Sequence, residues 1–148
     1  MTDKLFSPDQ VETLLKTGLL NLWYPVLPSW GVHSEPVGIT RLSRKIALWR
    51  DKDGNVNAVD DRCPHRGARL SLGWNLGDRL ACWYHGVEVN GEGVVEKVPA
   101  AEKASIEGKR CVRSYPAQEI EGAIFLSHQE GLPVRVGFLD GLQFGIAL

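Results

Sequence analysis

From Leu22 onward, apolar residues come only in short runs, each interrupted by Gly, Pro, Asn or Asp. A core helix needs an apolar stripe sustained over about ten residues or more, whereas a strand needs only about four to eight. This texture admits short strands and little else. Candidate strands are Leu22–Leu27, Gly38–Leu42, Lys45–Arg50, Val56–Asp60, Arg79–Cys82, Val87–Asn90, Val94–Val98, Lys109–Ser114 and Ala123–Ser127. "RDKDGNV", "NGEGV" and "EIEGA" between them read as tight turns. Many short strands at such spacing predict an all-β sandwich or barrel.

One helix is signalled in front of the strands, over residues 7–18. Ser7 can cap it, Pro8 suits its first position, and Gln10 completes a Ser-x-x-Gln capping box. Phe6 and Val11 sit where a hydrophobic staple would hold them. Val11, Leu14 and Leu15 make one stripe, and Gly18 is a natural stop. The 148 residues make one domain's worth of chain, so a single domain over 1–148 is expected.

The net charge of −1 lacks the clustered basic excess of nucleic-acid binding proteins. No apolar run approaches the roughly 20 residues of a membrane span. "MTDKLFSPDQ" lacks the charged-then-apolar order of a signal peptide, so a cytoplasmic location is expected.

Two of the three cysteines each stand beside a histidine, as Cys63-x-His65 and Cys82-x-x-His85. Both couples fall in predicted loops, residues 63–68 and 82–87, and Gly67 and Gly86 follow the histidines closely. Two such tips facing each other would gather four ligands. A disulfide between Cys63 and Cys82 would leave the histidines unexplained. A tetrahedral zinc site, as in a zinc-binding interaction module, is the chemical alternative, but zinc knuckles usually pair like with like. Here each loop gives one ligand of each kind. That order suits a binuclear centre in which two cysteines hold one iron and two histidines the other.

At these residues the sequence resembles the Rieske iron–sulfur proteins. "CPHRGA" and "CWYHG" match the two ligand boxes, and the likeness continues through "LWYPVLP", "LWRDKDGNVNAVDDRCPHRGARLSLG", "GEGVVEKVPA" and "VRSYPAQEIEGAIFLS". It covers most of Asn21 to Ser127 and is nearest to terminal oxygenases of the vanillate demethylase and dicamba monooxygenase type. The resemblance implies stacked antiparallel sheets, a Rieske 2Fe–2S cluster, and Cys63, His65, Cys82 and His85 as its ligands. It also implies one-electron transfer with redox partner proteins, a reductase or an oxygenase component, and neither nucleic acid nor membrane. Respiratory and photosynthetic Rieske proteins carry an extra cysteine in each box and a serine after the second; here that position is Val87. Fewer donors to the sulfurs imply a low potential.

The oxygenases of this family also hold a mononuclear iron on two histidines and a carboxylate. Only His33 and His128 remain for that purpose, far apart in sequence, so no catalytic residue is expected in this chain. The expected activity is that of an electron carrier or electron-entry module; the alternative is the N-terminal part of a terminal oxygenase. His33 and His128 are expected at the surface, and Cys111 buried in its strand. Trp74 is expected to shield the cluster, one of Trp83 and Tyr84 to reach solvent, and Arg66 to pair with Asp60, Asp61 or a partner's acid.

Overall fold

The computed structural model describes residues 7–17, 22–101 and 104–128. Helix α1 (Pro8–Thr17) precedes the strands β1 (Trp23–Pro28), β2 (Val37–Arg41), β3 (Arg44–Arg50), β4 (Val56–Asp60) and β5 (Trp74–Asn75). Then come β6 (Arg79–Ala81), β7 (Glu88–Asn90), β8 (Val95–Lys97), β9 (Ala117–Ile120) and β10 (Ala123–Ser127). They form three antiparallel sheets, ordered β1-β10-β9, β2-β3-β4 and β5-β6-β7-β8. The expected all-β architecture of stacked sheets with one short helix is the one that forms.

Strand β3 explains the stacking. Ile46, Ala47, Leu48 and Trp49 run in sequence with no exposure at all. Successive strand residues point to opposite faces, so an unbroken apolar run demands cover on both. Ile46 and Leu48 pack with Val26, Ile124 and Leu126 of the β1-β10-β9 sheet. Ala47 and Trp49 pack with Leu80, Val89 and Val95 of the four-stranded sheet. The β2-β3-β4 sheet is therefore the middle layer, and the four-stranded sheet carries the second Cys–His couple.

The segment Lys109–Ser114 is not the strand that its sequence suggests. It touches two sheets in turn and ladders with neither. Val95 donates to the Lys109 carbonyl and Val112 to that of Gly93, then Asp60 donates to the Arg113 carbonyl and Tyr115 to that of Ala58. Only isolated bridges result, Val94 with Arg110 and Val59 with Ser114. The segment staples the four-stranded sheet to β4. Strands β5 and β9 lie at sheet edges and have too few apolar residues to signal themselves.

In α1 the capping box forms: Ser7 N–H donates to the Gln10 side chain at 2.7 Å, and Gln10 N–H donates to Ser7 Oγ at 3.2 Å. Phe6 and Gly18, the expected staple and stop, lie outside the described residues. The stripe stays largely in solvent, with Leu15 80% exposed.

Candidate metal centre

The first Cys–His loop leaves β4, and the second joins β6 to β7. Their backbone frames are the same. Cys63 N–H donates to the Ala68 carbonyl at 2.7 Å, and Gly67 N–H donates to the Cys63 carbonyl at 2.8 Å. In the second loop Cys82 donates to Val87 and Gly86 to Cys82, both at 2.8 Å. Each frame encloses a three-residue turn and closes on a glycine of positive φ, 73° at Gly67 and 69° at Gly86. A side chain there would cost about 1–2 kcal/mol from its own Cβ.

On these matching frames the histidines start from different turn positions, which is why the spacings in sequence differ. His65 is central in its turn and His85 is last. Their rings nonetheless meet, with centroids 4.8 Å apart at 65°. Tyr84 lies against the His85 ring at a centroid distance of 3.9 Å and is itself flanked by Trp83.

The cysteines converge on the other side, inside the core. Cys63 and Cys82 are free thiols, 2% and 1% exposed, among Leu70, Leu80, Val87 and Val89. Burial, reinforced by the Cys82 thiol bonded to it, pushes Cys63 up to about 11, while backbone N–H groups of His65 and Arg66 aimed at its sulfur favour the thiolate. Without a cation Cys63 stays protonated; a cation bound there replaces that proton. The donors thus sort by kind, a buried thiol pair on one side and a more accessible imidazole pair on the other, His65 exposed and His85 half-buried. Among the described residues no three His, Cys, Asp or Glu donors gather closely enough for a single ion. A binuclear cluster asks for two pairs, and the thiol and imidazole pairs fit its donor chemistry.

Sequence reasoning missed the supports of these loops. Buried Asp61 accepts from the Ser71 N–H and hydroxyl, both at 2.7 Å, tying the first loop to the turn at Leu70–Leu72. Tyr115 donates its hydroxyl to Asp60 at the end of β4. Pro99 lies against Gly86, where an added Cβ would come within 3.2 Å of its ring. These partners are remote in sequence, and no local pattern marks them.

Four expectations about the surroundings need correction. Trp74 does not shield the centre; it stands 57% exposed on β5, an edge strand. Cys111 is exposed, because its segment is not a strand with an inner face. His128 is buried, packed edge-on against Tyr24 and Tyr115. Trp83 and Tyr84 both reach solvent, not one of them. Arg66 is exposed and is in none of the ion pairs among the described residues, while Asp61 accepts from Ser71 and Asp60 from Tyr115. His33 is at the surface as expected.

Stacked antiparallel sheets that present two such Cys–His loops define a mixed-ligand metalloprotein domain. The family model described as Rieske [2Fe-2S] domain matches residues 22–116, and the chain belongs to that family, whose cofactor is a Rieske-type 2Fe–2S cluster. Among curated relatives, Protein TIC 55, chloroplastic, of Arabidopsis thaliana is 37% identical over 80% of this chain and 24% of its own length. The vanillate O-demethylase oxygenase subunit of Pseudomonas sp. (strain HR199 / DSM 7063) is 37% identical over 72% of this chain and 29% of its own. The chain thus spans about a quarter of the length of these relatives. Among solved structures, dicamba monooxygenase superposes with a TM-score of 0.71 at 35% identity, covering 79% of this chain and 37% of that one. The reduced complex between oxygenase and ferredoxin in carbazole 1,9a-dioxygenase gives 0.72 at 30% identity, covering 82% and 32%. No helix among the described residues is long and apolar enough to cross a membrane.

Proposed function

We propose that Cys63 and Cys82 hold one iron of the cluster and His65 and His85 the other, and that residues 1–148 act as one domain passing single electrons between protein partners. The sorting of the four side chains into a buried thiol pair and a more accessible imidazole pair, on two matching loop frames, carries this reading. When bound, the cluster supplies a one-electron couple in which no substrate bond is made or broken. The residues around it do the rest. The core keeps water from the thiol side, where Leu70, Leu80 and Val89 have no exposure. The two frames fix both cysteines, and Tyr84 fixes the plane of His85. The exposed edge of His65 gives the electron its exit, and the far nitrogen of each imidazole can carry a proton or meet a partner.

One relative is named as an oxygenase subunit, and one solved neighbour is an oxygenase–ferredoxin complex. By that analogy the partners are a reductase-type donor and an oxygenase-type acceptor. That the chain spans about a quarter of its relatives favours a second setting for the same step. In it, the domain is the electron-entry part of a ring-hydroxylating or O-demethylating oxygenase. The cytoplasm is the compartment we assign; the chloroplastic relative marks an alternative.

Metal and sulfide analysis of the purified protein tests the reading. Two irons and two acid-labile sulfides per chain are expected from the cluster type. Stoichiometric zinc without sulfide would overturn it in favour of an interaction module.

A further inference from the structure

His128 is buried where β10 ends, and the electron-transfer step does not use it. Its ring stands edge-on to Tyr24 and Tyr115, with centroids 6.5 Å and 5.3 Å away. Its Nδ1 is enclosed and has no hydrogen-bond partner among the described residues. A neutral imidazole tolerates this, because one ring nitrogen carries no proton. An imidazolium carries a proton on both. A buried charge whose N–H lacks a partner is strongly disfavoured. The surrounding groups offer no relief. Arg44 of β3, Arg113 of the stapling segment and Asp60 of β4 are the charges that act on the ring, and Tyr24 and Tyr115 pack against it. Two of the three charges are cations, and the one carboxylate already accepts the Tyr115 hydroxyl. Burial, then the two guanidinium groups, accordingly hold His128 below its ordinary value.

Tyr115 connects this buried ring to the first ligand loop. Its hydroxyl holds Asp60, where β4 gives way to the loop. Asp60 N–H donates to the Arg113 carbonyl at 2.8 Å, and the Asp60 carbonyl accepts from the Arg62 N–H at 2.7 Å. Cys63 follows directly. The second loop is secured elsewhere, by the bonds of its own frame and by Pro99 against Gly86. Once charged, the His128 side chain has to leave the place it fills, and Tyr115 loses the ring packed against it.

We propose that His128 is an acid-sensitive latch on the first ligand loop: neutral, it keeps Tyr115 on Asp60; protonated, it leaves the core and lets the loop open at Cys63, while the second loop and the sheets stay closed. The inference rests on the reading of Cys63 as a cluster ligand. Its consequence is release of the cluster at a pH at which the fold survives. The step takes up one proton from solvent at the imidazole and moves no electron.

The test is hydrogen exchange of the loaded protein, read by mass spectrometry in peptides across residues 60–68 and 82–87. It runs from about pH 7.5 to about pH 5.5, above the ordinary range of carboxylates. After correction for intrinsic exchange, protection of the first loop should fall by up to about tenfold per pH unit between the His128 pKa values of the open and closed forms. Protection of the second loop should hold. Release of iron to a chelator should quicken in step with the first loop. His128→Phe, which keeps an edge-on ring and cannot be charged, should remove the pH dependence, and so should His128→Gln. Tyr115→Phe, without the hydroxyl that Asp60 accepts, should lower first-loop protection already at neutral pH. An unchanged first loop, a parallel loss in both loops, or a pH dependence that survives in both His128 variants would overturn the latch, while a normal iron and sulfide content leaves the cluster reading standing. A protein that takes up no iron and sulfide would overturn both.

Discussion

At the residue scale the centre depends on two glycines as much as on its ligands. Gly67 and Gly86 close the frames with positive φ, and a Cβ at either position is strained. Their surroundings differ. A Cβ at Gly67 meets the flexible end of Arg62, but one at Gly86 meets the Pro99 ring. Gly86→Ala should therefore destabilise the protein more than Gly67→Ala, by more than about 2 kcal/mol against about 1–2. Urea unfolding with an iron assay checks both. Val87 is fully buried and has no hydroxyl, and Tyr115 commits its own to Asp60. With few side-chain donors near the sulfurs, the midpoint should fall in the lower part of the roughly −150 to +300 mV Rieske range. Val87→Ser should raise it, and a redox titration reads both values. A wild-type midpoint well above zero would contradict this. That the two Cys–His couples fall in neighbouring loops was legible in sequence, because each follows a short strand and ends on a glycine. The burial of His128 and the exposure of Cys111 and Trp74 were not, since distant segments decide them.

At the scale of elements, loops that are short and polar need anchoring from outside. Asp61 supplies it by holding the Ser71 backbone and hydroxyl beneath the first loop. Asp61→Ala leaves a part-buried N–H and hydroxyl without that partner, a cost of about 1–3 kcal/mol for each group that stays unsatisfied. A loss in that range by urea unfolding is expected, with faster loss of iron from the loaded protein; an unchanged midpoint of unfolding would contradict the anchoring role. The middle strand β3 was readable as an unbroken apolar run, and Val56–Asp60 and Ala123–Ser127 appear with the bounds that their composition suggests. Lys109–Ser114 reads as a strand because it is a short run centred on the apolar pair Cys111 and Val112 after the turn residue Gly108. Its hydrogen bonds go to two different sheets, which composition cannot express.

Across the whole molecule the layers are joined beside the site by a cluster of Asp60, Tyr115, Arg113 and His128. Burial first, then Arg44 and Arg113, lowers the pKa of His128 from its ordinary 6.5. As pH falls through 6.5 the unfolded chain takes up the proton before the folded one, so stability is lost in the acid direction. Burial and the Asp60 carboxylate raise Tyr115, so the folded chain keeps its phenol protonated longer, and stability falls as pH rises above 10.0. Unfolding curves should show both losses, with His128→Phe flattening the acid one and Tyr115→Phe the alkaline one. Unaltered slopes in the variants would remove these groups from the account. The Mössbauer spectrum of the iron-57-loaded, oxidised protein tests the ligands of the two irons most directly. Two doublets of equal area are expected, one iron held by the thiolates of Cys63 and Cys82 and the other by the imidazoles of His65 and His85. A single doublet would mean that both irons have the same ligands and would contradict the assignment.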